Sequence, residues 1–264
     1  MKRLHIVGCP RSGTSLMLEL MSTCFHCEGR CEHEMSIFHK PPQGEGLFIS
    51  KQPNDIRQLQ HIFRRDDSLH VICLVRDPRA VITSQHTARP GEYFCNYRIW
   101  RACERAAAAL SGHPRFVFLK YEDLVAAPDI IQERIAHQFP FLQRIHAFSQ
   151  YQDFAAPAVA AEAAMSGLRA VGTGSLHKWR HHLPRVAEQY QRHPEMADDL
   201  IRLGYETDGD WLAVLSDVEA RKHACRYPDR AQPLKEMEKK IRVWFKSRRY
   251  LRERAYIRRC PRAP

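Results

Sequence analysis

The feature of this chain that most constrains its fold is a run of eight residues, Gly8–Ser15, with the sequence GCPRSGTS. The apolar residues Leu4–Val7 predict a short strand before the run, and Leu16–Met21 predict a helix after it that ends near Phe25. A loop that joins a strand to a helix presents backbone N–H groups and a positive helix N-terminus, which together bind phosphate. The run therefore predicts an α/β fold with a phosphate site at the end of its first strand.

The residues of this loop limit the chemistry that it can support. Its two glycines have the spacing of a P-loop, but Thr14 stands where nucleotide triphosphatases place a lysine, and the cation lies inside the loop as Arg11. The sequence also offers no obvious acidic strand end to hold magnesium. Hydrolysis of ATP or GTP is therefore disfavoured relative to binding a phosphate that needs no metal. An ordinary glycine-rich turn before a helix is the alternative interpretation.

A second cation follows a second strand. The almost continuous apolar run Leu69–Val75 is typical of a buried parallel strand, and Arg76-Asp77-Pro78 ends it. Open α/β sheets bind ligands at the carboxyl ends of their strands, and a guanidinium suits bidentate phosphate recognition. Ser84 lies about two helical turns further on, within reach of the same phosphate. An ion pair between Arg76 and Asp77 that has no ligand is the alternative.

The rest of the chain alternates short strands with longer helices, as parallel βα units do. Residues 155–175, rich in Ala and Gly, predict a loop or a mobile lid. The pattern as a whole predicts a three-layer α/β/α fold with a central parallel sheet. The further predicted elements are a helix capped by Asn54 that carries Ile56, Leu59, Ile62 and Phe63, a strand over Arg115–Lys120, and helices over Tyr93–Leu110, Asp129–Gln138, Leu142–Tyr151, Arg185–Gln191 and Glu195–Leu203.

Two segments resemble motifs of the sulfotransferase family that uses 3′-phosphoadenosine 5′-phosphosulfate (PAPS). The sequence PRSGTS matches the family loop that binds the 5′-phosphosulfate, and RDPRAV followed by a serine is similar to the family motif for the 3′-phosphate. The resemblance implies a P-loop NTPase-like sulfotransferase fold and PAPS as the donor, without a metal. The resemblance implies that Arg11, Gly13, Thr14 and Ser15 are ligands of the 5′-phosphosulfate and that Pro10 and Ser12 of the same loop belong to the cofactor site. It also implies that Arg76 and Ser84 are ligands of the 3′-phosphate.

Later segments extend the resemblance. YEDL at residues 121–124 is similar to a family segment whose tyrosine lies near the adenine, which implies that role for Tyr121. GSLHKWR at residues 174–180 resembles the late segment that closes over the 3′-phosphate, which implies Leu176, Lys178 and Trp179. Some members carry another arginine four residues after the serine, where this chain has Ala88. We expect a sulfotransferase domain over residues 1–210 and a basic, helical extension over residues 211–264.

Sulfuryl transfer needs a cation near the bridging oxygen of the donor and a base for the proton of the acceptor. Arg11 and Lys51 are the candidate cations, since Lys51 lies in a K-x-P segment similar to one beside the transferred group in the family. Glu34 is the first candidate for the base, with Glu32 and His33 close to it, because related sequences place a glutamate shortly after the first helix. A surface lysine and solvent-facing loop charges are the alternatives.

The resemblance implies metal-free, in-line transfer of the sulfuryl group to a hydroxyl or amine. Glycan, lipid, peptide and small alcohol acceptors are all compatible with the sequence, because a fold does not choose among them. One alternative is a nucleotide or small-molecule kinase on the same scaffold. Another is a non-catalytic protein that binds nucleotide.

The nine cysteines, in a sequence with no evident signal peptide, predict reduced thiols and a cytoplasmic location. Cys24, Cys27, Cys31 and His33 have a spacing that could hold a metal ion. A cysteine at the end of an apolar helix more often acts as a small hydrophobe, so we expect no metal. Apolar stretches fall short of the roughly 18 residues that a transmembrane helix needs.

The net charge of +11 is concentrated at the C-terminus, where residues 235–264 contain twelve Lys or Arg and three Glu. An apolar stripe at helical spacing predicts an amphipathic helix there. A basic helix of this kind suits an anionic membrane surface through residues 234–262, with a peripheral location at the inner membrane. Packing of the stripe on the domain is an equal alternative, and nucleic acid binding is disfavoured because no binding module accompanies the charge. The stripe consists of Leu234, Met237, Ile241, Trp244 and Phe245.

Overall fold

The five-stranded sheet at the centre of the protein is parallel, and the strands over residues 29–30, 47–51, 2–8, 69–75 and 116–120 lie side by side in that order. A computed structural model describes residues 1–39, 43–86, 89–157, 159, 162–163, 167–168 and 170–259. The strands of the sheet are β1 (Lys2–Gly8), β2 (Gly29–Arg30), β3 (Leu47–Lys51), β4 (Leu69–Val75) and β7 (Phe116–Lys120), and a separate antiparallel pair consists of β5 (Gln85–His86) and β6 (Arg89–Tyr93).

Helices cover both faces of this sheet because the side chains of each strand alternate between two cores. Along β4, Val71 and Cys73 pack into one core, whereas Ile72 and Leu74 pack into the other. The predicted three-layer α/β/α fold with a central parallel sheet is therefore confirmed. The helices are α1 (Thr14–Cys24), α2 (Pro78–Ile82), α3 (Tyr97–Ala108), α4 (Tyr121–Ala126), α5 (Pro128–Gln138), α6 (Tyr151–Phe154), α7 (Leu183–Arg192), α8 (Met196–Arg202) and α9 (Pro233–Arg259).

The strand register brings the candidate functional segments to one edge of the sheet. Ile6 of β1 lies opposite Lys51 of β3, and Gly8 lies opposite Leu74 of β4. Since all three strands run in the same direction, the loop after β1, the end of β3 and Arg76 after β4 leave the sheet side by side.

Strand β3 was not predicted from the sequence. Its five residues, LFISK, end in two polar side chains and follow a polar stretch, so hydropathy does not mark them as a central strand. In the fold the Ser50 hydroxyl accepts a hydrogen bond from Nε of Arg3 at 2.9 Å and lies 2.8 Å from Nδ1 of His5. These partners satisfy Ser50 inside the core, which allows a polar residue in a buried strand.

Two predicted helices are wrong. The segment from Pro53 to Arg65 forms three short 3₁₀ turns, and Asn54 donates its side-chain N–H to the Tyr227 hydroxyl at 2.8 Å instead of capping a helix. The predicted helix over residues 142–151 is also absent. There the side chain of Gln132 accepts from the backbone of Phe148 and donates to that of His146, and only the 3₁₀ turn Phe148–Gln150 precedes α6.

The long predicted helix over residues 93–110 begins later, at Tyr97 of α3. Asn96 caps it, because its side-chain oxygen accepts from the backbone N–H of Ile99 at 3.1 Å. Tyr93 belongs to β6 instead. The other predicted strands, and the helices corresponding to α1, α5, α7 and α8, lie within a few residues of their expected bounds.

The C-terminal region packs on the domain through a face that the sequence did not indicate. The predicted apolar stripe is exposed, and the buried residues of α9 are Val243, Ser247, Tyr250 and Arg254. The Tyr250 hydroxyl donates to the Asp66 carboxylate at 2.7 Å, and Nε of Arg254 lies 3.1 Å from the same group. Burial alone would raise the pKa of Asp66, but hydroxyl donors and Arg254 lower it below its usual value.

No helix among the described ranges is both long enough and apolar enough to span a bilayer.

Candidate active site

A cavity of about 860 Å³ opens at the carboxyl edge of the sheet. Its walls come from the loop after β1, the end of β3, the residues after β4, the start of α4 and the late segment near residue 175. This is the position at which open parallel sheets bind ligands. Most of the residues implied by the sequence motifs line it, namely Pro10, Arg11, Gly13, Thr14, Ser15, Glu34, Lys51, Arg76, Ser84, Tyr121, Lys178 and Trp179.

The loop after β1 has the geometry of an anion cradle. Gly13 has φ 93°, and α1 starts directly after it without a side-chain cap, so the first N–H groups of that helix lack an intrahelical acceptor. Arg11 also has a positive φ of 74°, a conformation that is costly for a residue with a Cβ. Ser12 differs from its expected role. It is fully buried, lies outside the cavity lining and donates to the carbonyl of Cys9 at 2.7 Å, so it stabilises the turn.

The two arginines of the site, Arg11 and Arg76, are linked by a hydrogen bond in the loop after β1. Nε of Arg11 donates to the Ser84 hydroxyl at 2.7 Å, and Nη1 of Arg76 donates to the backbone carbonyl of Arg11 at 3.1 Å. Burial, followed by the charge of Arg76, lowers the pKa of Arg11. Among the described residues neither guanidinium forms an ion pair with a carboxylate, so both positive charges are available to an anion.

Arg76 is held between two further groups at the cavity wall. Its guanidinium lies 4.4 Å from the centre of the Tyr121 ring, and Nη2 donates to the backbone carbonyl of Ser175 at 3.3 Å. The hydroxyl groups of Tyr121 and Ser175 are 3.2 Å apart. Nε of Arg76 is buried and has no hydrogen-bond partner within the described part of the chain. A buried donor of this kind is costly unless a ligand satisfies it.

A lysine and a carboxylate lie on the other side of the loop. Nζ of Lys51 donates to the Ser15 hydroxyl at 3.0 Å and lies 3.5 Å from the Glu34 carboxylate. The Lys51 side chain is 1% exposed, whereas that of Glu34 is 39% exposed at the cavity. Burial lowers the pKa of Lys51, and the charge of Glu34 opposes this shift. Burial also lowers the pKa of His33, which lines the cavity; Glu32 lies outside the lining.

A buried network positions the backbone that follows β4. Asp77 caps α2 by accepting from the N–H of Arg79 at 2.7 Å, and its own N–H donates to Glu122 at 3.0 Å. The Arg79 guanidinium lies 4.3 Å from the ring centre of Trp179 and 4.9 Å from that of Trp211. Asp77 therefore pairs with Arg79 and not with Arg76, which leaves Arg76 free to face the cavity.

The late segment contributes to the cavity unevenly. Lys178 and Trp179 line it, with Trp179 3% exposed, whereas Leu176 lies outside the lining. Gly172 and Ser175, from the segment expected to form a lid, also line the cavity. Ala88 and several residues of the expected lid lie outside the described residues: 158, 160–161, 164–166 and 169.

The sequence did not reveal a group of residues in the cavity next to Arg11. The Phe94 ring lies 5.7 Å from the Arg11 guanidinium and 4.7 Å from that of Arg226. Tyr227 also lines the cavity and accepts the hydrogen bond from Asn54. Arg226 and Tyr227 belong to the expected extension, so that segment forms part of the site. Because Arg226 and Tyr227 lie more than 130 residues after Phe94 in the chain, no local sequence pattern predicts that they meet.

The cysteines near α1 have ordinary structural contacts. The Cys24 thiol donates to the carbonyl of Ala147 at 3.5 Å, and Sγ of Cys31 accepts from the N–H of Lys51 at 3.3 Å. In the described part of the chain no group of three or more His, Cys, Asp or Glu side chains could hold a metal ion.

No protein-family model and no curated protein matches the chain. Solved structures do match it distantly. The mouse sulfotransferase SULT7A1 complexed with PAP is 15% identical with a TM-score of 0.48, over 82% of this chain and 88% of that one. The sulfotransferase domains from the Synechococcus PCC 7002 olefin synthase and from the curacin biosynthetic pathway are each 17% identical with a TM-score of 0.46, over 68% of this chain and 87% and 90% of theirs. All three are sulfotransferases, the family that the sequence motifs resemble, but at this distance the function must rest on the residues of the site.

Proposed function

We propose that this protein is a sulfotransferase that moves the sulfuryl group of PAPS to a hydroxyl or amine. One observation carries the proposal. Two cations, Arg11 at the uncapped start of α1 and Arg76 after β4, adjoin within one cavity that Ser84 also lines, and a lysine paired with a carboxylate contacts Ser15 in the first turn of α1. A donor with phosphate groups at both its 5′ and 3′ ends needs this arrangement.

The residues of the cavity fit such a donor. The N–H groups at the start of α1 and the Arg11 guanidinium suit the 5′-phosphosulfate, because the N–H groups lack an intrahelical acceptor and the guanidinium, which donates to Ser84 through Nε, has no carboxylate partner among the described residues. Arg76 and Ser84 suit the 3′-phosphate, and the unpaired Nε of Arg76 gives that phosphate a buried donor to satisfy. Tyr121 presents an aromatic ring beside Arg76, as an adenine site requires.

When bound, PAPS supplies an activated sulfuryl group whose leaving group is a phosphate. The protein's task is then to stabilise charge and to accept a proton. Lys51, buried and hydrogen-bonded to Ser15, presents its ammonium to the loop at the side of the transferred group. Glu34 is solvent-accessible and 3.5 Å from Lys51, so its carboxylate is available to accept the proton of an acceptor hydroxyl.

A transfer assay tests this function. The protein is incubated with PAPS carrying a labelled sulfuryl group and a panel of sugar, phenol, sterol and amine acceptors, and labelled product is measured. We expect transfer to at least one acceptor class, with Glu34→Gln reducing it and the matched variant Glu32→Gln retaining it, because Glu32 lies outside the cavity lining. If the Glu34→Gln variant formed labelled product as fast as the wild type, a residue other than Glu34 would be the base. Tight binding of the desulfated product, adenosine 3′,5′-bisphosphate (PAP), with no transfer to any acceptor would favour a non-catalytic nucleotide-binding protein.

A further inference from the structure

Helix α9 has an outward face whose apolar side chains are largely exposed to solvent. Five large apolar side chains lie along this face within twelve residues and are 47% to 74% exposed. Contiguous exposed apolar patches larger than roughly a few hundred Å² often mark sites that bind a protein or a membrane. We call this set the outer face; its residues are Leu234, Met237, Ile241, Trp244 and Phe245.

The opposite side of the same helix is fixed to the domain. Val243, Ser247 and Tyr250 are at most 6% exposed, and both Tyr250 and Arg254 bind the buried carboxylate of Asp66. At 3.6 residues per turn these residues lie on one side of the helix, and the outer face lies on the other. The helix is therefore already ordered, and the outer face cannot turn inward without breaking these contacts.

The charge along the C-terminal part of the outer face is positive, whereas Glu236 and Glu238 flank Met237 near its start. From Lys239 to Arg252 the chain contains seven Lys or Arg and no Asp or Glu. Arg242, Lys246 and Arg248 are all exposed, and the Arg248 guanidinium lies 4.4 Å from the ring centre of Trp244. Cations beside exposed aromatic rings match the headgroup region of a bilayer that contains anionic lipid.

We propose that the outer face of α9 binds an anionic lipid surface while the opposite side of the helix, with Val243, Ser247 and Tyr250, stays packed on the domain. The apolar side chains enter the boundary between headgroups and acyl chains, and the flanking cations contact lipid phosphates. A lipid surface fits better than an acidic protein. The bulky apolar side chains of the outer face run along three helical turns, and among the described residues they form no pocket that would hold a protein partner in one position. The proposal is independent of the transfer reaction.

Vesicle binding tests this proposal without any enzymatic assay. The protein is sedimented with sucrose-loaded vesicles of phosphatidylcholine alone or mixed with phosphatidylglycerol. We expect binding to the anionic vesicles at least about tenfold tighter than to the neutral ones, and weakened by salt. The double variant Trp244→Ser/Phe245→Ser should bind about tenfold more weakly, and Arg242→Gln/Lys246→Gln should lose much of the preference for anionic lipid.

Tryptophan fluorescence gives a second, local readout. Trp100, Trp179 and Trp211 are at most 7% exposed, whereas Trp244 is 47% exposed, so a blue shift on adding vesicles reports mainly Trp244. Ile130→Ser is the matched control, because Ile130 is 67% exposed on α5, and this variant should bind vesicles like the wild type. Equal binding by the wild type and the Trp244→Ser/Phe245→Ser variant would overturn the proposal. So would a wild-type dimer, seen by light scattering, that the same variant converts to a monomer, because the outer face would then be a self-association surface.

Discussion

Replacing Gly13 by alanine tests whether the loop after β1 forms the donor site. Gly13 has φ 93°, and an added Cβ would lie 2.3 Å from the nearest carbon of the Tyr121 ring. That distance is far inside van der Waals contact, so either the loop or the ring must move. Both line the cavity, and the start of α1 follows directly.

The size of the effect follows from two contributions. The left-handed conformation alone costs an L-residue about 1 to 2 kcal/mol. Overlap with a packed ring adds about 1 to 3 kcal/mol. We therefore expect Gly13→Ala to lower the free energy of unfolding by about 2 to 5 kcal/mol. Displacing one charge-assisted donor from a phosphate, at about 1.5 to 3 kcal/mol, should weaken PAP binding roughly tenfold to a hundredfold.

Gly112 provides the matched control for this substitution. It has φ 82°, close to that of Gly13, but an added Cβ would meet nothing within 4 Å. Gly112→Ala should show the conformational cost alone and bind PAP like the wild type. Urea unfolding and calorimetric titration of PAP measure the two quantities. If Gly13→Ala bound PAP with unchanged affinity, the loop would not be the phosphate site, and the reasoning would be refuted.

Three further predictions concern catalysis, the docked helix and pH. Glu34→Gln should lower the transfer rate at least about a hundredfold without changing the affinity for PAP. If kinetic and binding measurements showed that rate and affinity fall by the same factor, Glu34 would not be the base. Tyr250→Phe should destabilise the fold by about 1.5 to 3 kcal/mol in urea unfolding, because Asp66 loses a buried donor; no change would mean that α9 is not docked in solution. Burial lowers the pKa of His70 to about 4, so the unfolded chain binds the proton more tightly and stability should fall as the pH drops from about 6.5 towards 4. We expect a loss of about 1 to 2 kcal/mol, reduced by the partial exposure of the ring, and a flatter pH profile in His70→Phe.

The part of the cavity formed by the loop after β1 and the residues after β4 was largely predictable from the sequence, because its residues come in contiguous motifs at strand ends. Gly13 and Arg76 each follow a strand that the sequence predicts, and parallel strands necessarily bring such ends to one edge. Ser12 and Leu176 share those motifs but lie outside the cavity lining. A motif specifies the path of the backbone more directly than the direction of each side chain.

The part of the cavity around Phe94 and the docking of α9 were not predictable, since both depend on contacts between distant segments. Arg226 reaches Phe94 only because residues 224–226 run alongside Tyr93. Likewise, two different sides of α9 carry apolar residues at helical spacing, and the sequence analysis identified only the more apolar of them as a candidate for packing on the domain. The domain instead buries a face that includes Tyr250, because Asp66 offers it a buried hydrogen-bond partner.

The most direct test of the proposed function is calorimetric titration of PAP, compared with ADP and magnesium, into the wild type and the Arg76→Ala variant. The proposal predicts micromolar binding of PAP, about 8 kcal/mol, and a preference over ADP that Arg76→Ala abolishes. Tighter binding of ADP with magnesium to the wild type would contradict a 3′-phosphate site at Arg76 and would favour a kinase on the same scaffold.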